Sequence, residues 1–264
     1  MNGFINLLKT TMDRPTPYGW FHLLWIAITI ICIIFLKNKK SNLRAVLGIY
    51  GIIAFILELL KQLSWSISIV DGNYIWDYQW YAFPFQLCSM PIYISLICFF
   101  ANNKNLNDKL LPFLAYITIL GGISTILIPD SCFTNEVLIN INTMWIHCGS
   151  LVISIYLLMS GTIKPSLINL RNAINVFVVC IITASLLNVI VYNFNIANGE
   201  TFNMFYISPY FISELPIFNT IQQNTPYMIY LLSYFVIMVI GGLIIFSINY
   251  YFEKRGKKNE KKNK

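Results

Sequence analysis

"WFHLLWIAITIICIIFLKNKK" (residues 20–40) is a run of seventeen residues with no acidic or basic charge, closed by three lysines within four positions. A run of that length matches the hydrocarbon core of a bilayer, which a helix crosses in roughly 20 apolar residues at about 1.5 Å each. The same punctuation recurs. Apolar runs at 43–69, 84–101, 109–129, 141–163, 171–192 and 226–252 follow, giving seven candidate spans with that at 20–36. Only 11% of the chain is charged, whereas a soluble domain carries about a quarter. The expected fold is therefore an all-α membrane protein, a seven-transmembrane-helix bundle over 20–252. A short extracytoplasmic segment, 1–19, precedes it and a basic tail, 253–264, follows. The first run begins behind Lys9, Asp13, Arg14 and two prolines, and no small-residue cleavage site follows it, so it reads as a retained span and not a signal peptide.

Basic residues give the expected orientation, because cytoplasmic loops retain Lys and Arg. Lys37, Lys39, Lys40 and Arg44 follow the first span, Lys104 and Lys109 the third, and Lys164 and Arg171 the fifth; the tail holds seven more. The connections 70–83, 130–140 and 193–225 hold none. This alternation places the N-terminus outside and the C-terminus in the cytoplasm of a cell membrane. The net charge of +7 then serves as an address on the cytoplasmic face, and the tail reads as a disordered, solvated extension touching anionic lipid, with no nucleic acid as partner. Richness in Ile, Asn and Lys fits an AT-rich bacterial genome.

Cysteines 32, 88, 98, 132, 148 and 180 show no C-x-x-C spacing, and only two histidines are present. Neither a metal site, a cofactor nor a disulfide framework is expected. Interest falls instead on polar side chains at membrane depth, where an ionisable group costs at least roughly 2.5–3.5 kcal/mol and needs a partner, a cavity or a task. Glu58, Lys61 and Gln62 share one helical face in the outer half of the second span. Cys88 lies about 6 Å into the third span and His147 about 9 Å into the fifth. Asn188 comes near the outer end of the sixth. In the fifth span Thr143, His147, Ser150 and Ser154 form a single polar stripe that should face the bundle.

The stretch "FPFQLCSMPIY" (83–93) concentrates these features. Pro84 suits the first turn of a helix and Pro91 predicts a kink just after Cys88. A cysteine near a helix start meets unpaired N–H groups that favour thiolate, although buried cysteine equally serves as a small apolar filler. Gln86 and Cys88, two apart, share a cavity only if that turn is distorted. The aromatic stretch 198–218 suggests an interfacial lid.

"PFQLCSMPIY", "LGGISTILIPD", "WIHCGSLVISIYL", Asn188, "NMFYISPY" and "TPYMIYLL" resemble, in order along the whole seven-span body, the YwaF-like bacterial membrane proteins, relatives of animal transmembrane protein 164. The family pattern Pro-x-His-x-Cys stands here with Gln86 in the histidine's place. The resemblance implies lipid acyl chemistry with Cys88 and His147 as the matched catalytic pair, and Glu58, Lys61, Gln62, Gln86 and Asn188 as candidate site-lining residues. The expected function is a cysteine-dependent acyltransferase or acyl hydrolase acting on membrane lipid at the outer leaflet, with Glu58 orienting His147. Two rival classes stay open. One is a proton-coupled transporter using Glu58, Lys61 and His147 as a relay; the other is a sensor or scaffold recruiting a partner through the basic tail.

Overall fold

The structure, a computed structural model, describes residues 2–37, 43–129 and 132–262. In chain order the helices are α1 (Asn2–Leu8), α2 (Trp20–Leu36), α3 (Leu43–Ser66), α4 (Met90–Ala101), α5 (Lys104–Phe113) and α6 (Ile119–Leu127), then α7 (Val137–Met159), α8 (Leu167–Asn193), α9 (Pro216–Asn224) and α10 (Tyr227–Lys262). Five helical segments among the described residues are long and apolar enough to cross a bilayer: α3, the continuous helix Lys104–Leu127, α7, α8, and α10 over Tyr227–Gly256. Two more apolar helices, α2 and Leu87–Ala101, are shorter. The outer faces of α8 and α10 expose Val179, Ile182, Leu186, Ile229, Leu232 and Ile244, apolar surface suited to lipid. Charge is segregated between the bundle's ends. The described basic side chains collect at one end, apart from Lys9, Arg14 and Lys61, while Asp71, Asp77, Glu136, Glu200 and Glu214 lie at the other.

Three expected segments differ from what forms. The second apolar run leaves helix at Ser66, and Ile67–Val70 (β1) pairs antiparallel with Asn73–Trp76 (β2). Asp71 and Gly72 turn the hairpin at φ 50° and 80°, the two-residue Asp-Gly turn whose twist matches its flanking strands. In the third run Pro84 precedes the helix, a 3₁₀ turn occupies Leu87–Ser89, and α4 begins only at Met90. Pro91 therefore sits in the first turn of α4, where a missing N–H breaks nothing, and the expected kink is absent. Residues 253–262, expected as a disordered tail, continue α10 as helix. Of the basic residues after the first span that helped set the expected orientation, Lys39 and Lys40 lie outside the described residues.

The N-terminal segment, expected outside the membrane, is strapped to the acidic end. Met12 N–H donates to the Asn135 carbonyl (2.8 Å), Val137 N–H to Thr10 (3.0 Å), and Lys9 Nζ to the Ser64 carbonyl (2.9 Å).

Pro112 inside α5 removes one ladder N–H, and the carbonyl it leaves unpartnered, that of Asp108, accepts from Asn172 Nδ2 instead (3.1 Å). One turn on, Leu114–Thr118 widens into a π-turn before α6 resumes. Ser154 Oγ donates to the displaced Leu114 carbonyl (2.6 Å), and Ser150 Oγ donates to Thr118 Oγ1 (3.3 Å). The serine stripe of α7 therefore faces inward and satisfies a distorted neighbouring backbone. Gly122 lets the helices approach, since a Cβ there would lie 2.7 Å from the His147 carbonyl oxygen.

Candidate functional site

Glu58 is 4% exposed, and three donors from two helices engage its carboxylate. Lys61 Nζ lies 2.7 Å from Oε1, Gln62 Nε2 donates to the same oxygen at 2.8 Å, and Asn142 Nδ2 on α7 donates to Oε2 at 3.3 Å. Gln62 also donates to the Ala82 carbonyl (2.7 Å), tying the outer loop to α3. Lys61 is further held over the Trp65 ring at 5.6 Å. The i, i+3, i+4 spacing predicted this grouping on α3. The fourth member, Asn142, was not among the expected residues because it falls one position off the α7 polar stripe.

Cys88 sits in the 3₁₀ turn ahead of α4, one position before the helix cap. That turn arises locally: Gln86 is extended (φ −92°, ψ 161°), Ser89 N–H donates back to the Gln86 carbonyl at 2.9 Å, and Pro91 stops the α ladder from extending further back. Cys98 and Cys148 are buried, whereas Cys88, like Cys32, Cys132 and Cys180, retains accessible surface.

His147 is also half-buried. The turn carrying Cys88 packs on its helix, α7, and Tyr50 of α3 spans the same region, donating from its hydroxyl to the Ile146 carbonyl (3.2 Å). The imidazole turns toward α6, where Gly121 leaves room: a Cβ there would stand 3.7 Å from Nδ1, and the Gly121 carbonyl is in reach of the ring. Glu58 has Lys61, Gln62 and Asn142 as its partners, and no hydrogen bond between Glu58 and His147 is among them.

Gln86 and Asn188 do something the sequence reading did not foresee. Gln86 Nε2 donates to the Asn203 carbonyl (2.9 Å) while its Oε1 accepts from Phe205 N–H (2.7 Å). Asn188 makes the same two-way contact with Met204, through Nδ2 to the carbonyl (3.0 Å) and Oδ1 from the amide (2.7 Å). Two side-chain amides thus grip three consecutive residues from opposite directions, and Phe85 stacks on Phe205. The gripped loop is strained. Phe205 and Tyr206 adopt φ 57° and 59°, left-handed values that cost bulky residues of order 1–3 kcal/mol. Asn203 holds the far side, its Oδ1 accepting from Ser208 N–H (2.8 Å). Phe202, Met204, Phe205 and Ile207 are all buried, so the stretch expected as an interfacial lid is, over 202–208, a plug inside the bundle. Gln86 ties it to the segment that leads into the Cys88 turn. The plug lay unnoticed within "NMFYISPY"; the asparagine heading that motif was the available clue, since Asn203 closes the loop on itself.

Among the described residues no three His, Cys, Asp or Glu side chains gather as a metal-binding group. The profile of the TMEM164 family matches residues 16–249, which includes every residue of the site. No curated protein and no solved structure gives a significant match to the chain.

Proposed function

The chain is a member of the TMEM164 family, and from that premise we propose that it moves or hydrolyses acyl chains of membrane lipid through a Cys88 thioester. The observation that carries this reading is the setting of Cys88. It is a partly exposed cysteine in the 3₁₀ turn that leads into α4, next to the Ser89 cap, and that turn packs against α7. His147, on the helix packed against that turn, is the proposed base.

In the proposed cycle His147 takes the thiol proton as Sγ bonds to the ester carbonyl carbon, and the carbonyl electron pair moves onto oxygen. Collapse re-forms the carbonyl and breaks the bond to the glyceride oxygen, which leaves as an alcohol carrying the proton from His147. A second alcohol, or water, then reverses the sequence and frees Cys88. Gln86, in the place where relatives carry histidine, serves the loop through two hydrogen bonds and takes no proton in this scheme.

The proposal includes the topology. Seven spans, with α2 and Leu87–Ala101 as short crossings that thin the bilayer locally, put the basic end in the cytoplasm and the acidic end, with Cys88 beneath it, at the outer leaflet of the cell membrane. Residues 20–252 form the membrane domain in this reading, 1–19 an outer strap and 253–264 a cytoplasmic extension of α10. The relay alternative is weaker because Glu58 is already engaged by three donors. The test is labelling of the purified protein by an activated acyl ester. Cys88→Ala should abolish the label while expression stays normal, and a fully labelled Cys88→Ala protein removes the proposal.

A further inference from the structure

At the basic end of the bundle, the last turn of α7 and the lower half of α10 leave a recess between them. α7 stops at Met159 because Gly161 turns the chain at φ 65°, and the backbone folds back so that Ile163 N–H donates to the Leu157 carbonyl (3.0 Å). That return buries Ile163 and sets Lys164 at the rim. α10 passes the same level but leans on the π-turn and not on α7. Phe246 meets the Tyr116 ring at 5.7 Å, and Asn249 Nδ2 donates to the Tyr116 hydroxyl (3.4 Å), which donates in turn to the Lys164 carbonyl (3.4 Å). Tyr116 thus braces both sides of the recess and holds them apart.

The space enclosed is about 620 Å³, a size usual for small-molecule sites. Ile119 and Ile163, both buried, form its floor, with Ile155 and Met159 of α7 on one wall and Ile248 and Phe252 of α10 on the other. Met159, Ile248 and Phe252 are exposed, so the recess opens outward from the bundle. Its polar lining is confined to the basic end, where Lys164, Asn249 and Glu253 stand. Arg255 joins them by helical phase: it follows Ile248 by seven positions, so it lies on the lining face of α10 beyond Phe252, and it is exposed. Two cations against one carboxylate leave the rim net positive above an apolar slot, which is the complement of a phosphate carried on hydrocarbon chains.

We propose that this recess holds one anionic phospholipid from the leaflet at the basic end, an acyl chain lying between α7 and α10 and the phosphate meeting Lys164 and Arg255. The site stands at the end of the bundle opposite Cys88 and does not rest on the acyl-transfer reading. Its occupant is a bound component of the fold and undergoes no chemistry there. The chain supplies the packing that α7 and α10 do not give each other at this level, so binding stabilises the folded bundle by mass action.

The test titrates detergent-solubilised full-length protein with dioleoylphosphatidylglycerol or dioleoylphosphatidylcholine, lipids with the same chains and different net charge. Bound lipid is read by native mass spectrometry and the fold by melting temperature. Wild-type protein should retain one phosphatidylglycerol, hold it more tightly than phosphatidylcholine, and melt higher with it. Lys164→Gln with Arg255→Gln should weaken phosphatidylglycerol by about 30-fold and leave the lipid-free melting temperature unchanged, since both side chains are exposed. Lys109→Gln with Arg171→Gln removes the same charge from exposed positions that do not line the recess, and should leave binding as it was. Ile155→Trp, which fills the slot, should lose both lipids; if that variant fails to fold, the two glutamine pairs still decide. Equal retention of the two lipids by wild-type protein overturns the proposal, as does an equal loss in both glutamine pairs, which marks diffuse attraction to the basic end. A dimer that Ile155→Trp dissociates, with no lipid retained, assigns the recess to a second copy of the chain and overturns it too.

Discussion

Asn188 contributes two hydrogen bonds to one buried residue, and its replacement isolates that contribution. Asn188→Leu keeps the volume but leaves the buried Met204 N–H unpaired and its carbonyl with the Ile207 N–H alone. An orphaned donor costs about 1–3 kcal/mol, so thermal unfolding in detergent should show a clear loss of stability. An unchanged melting temperature would mean the loop does not depend on the clamp. Glu58 invites a similar experiment. Glu58→Gln leaves the Lys61 ammonium largely buried without its counter-ion, a change that typically costs about 3–5 kcal/mol. Adding Lys61→Met should recover much of that loss, whereas a double variant as unstable as the single one contradicts the pairing. The α3 cluster was legible from sequence because i, i+3 and i+4 positions meet on any helix. The roles of Gln86 and Asn188 were not, because their partners lie some 117 and 16 residues away along the chain, in a loop whose left-handed backbone has no glycine to announce it.

Contact between α6 and α7 turns on two adjacent glycines with different surroundings. A methyl group at Gly122 would stand 2.7 Å from the His147 carbonyl oxygen and from Leu151 Cβ, and neither can rotate away. Gly122→Ala should push the helices apart at a cost of about 1–3 kcal/mol. Gly121→Ala meets only His147 Nδ1 at 3.7 Å, an ordinary contact, so it should be neutral or slightly stabilising through helix propensity. Equal melting temperatures for the two variants would contradict the packing described. At this scale the apolar runs located every long helix, and errors gathered at the ends. Hydropathy cannot distinguish the last turn of a helix from a β-branched strand, so Ile67, Ser68 and Ile69 were taken into the second span although Asp71-Gly72 stood close by. The stop imposed on α4 by Pro91 was misassigned for a different reason: a proline signals a kink or a start depending on where the preceding turn begins, and that turn is 3₁₀.

Across the whole molecule, one end is basic and the other acidic, with the candidate site beneath the acidic end. The proposed orientation predicts that a cysteine at the hairpin tip, Asp71→Cys, reacts with an impermeant maleimide in intact cells, whereas Lys258→Cys reacts only after permeabilisation. The reverse pattern would invert the topology and move the chemistry to the inner leaflet. Segregation of charge was visible in the sequence because it follows from loop order alone. The grip of Gln86 and Asn188 on residues 203–205 was not, because it depends on how a loop between two spans folds back into the bundle. The central claim is that Cys88 carries an acyl group, and peptide mass spectrometry after incubation in phospholipid vesicles tests it most directly. The account predicts a hydroxylamine-sensitive acyl adduct on the peptide containing Cys88. An unmodified Cys88, or an adduct on another cysteine at equal yield in Cys88→Ala, would contradict it.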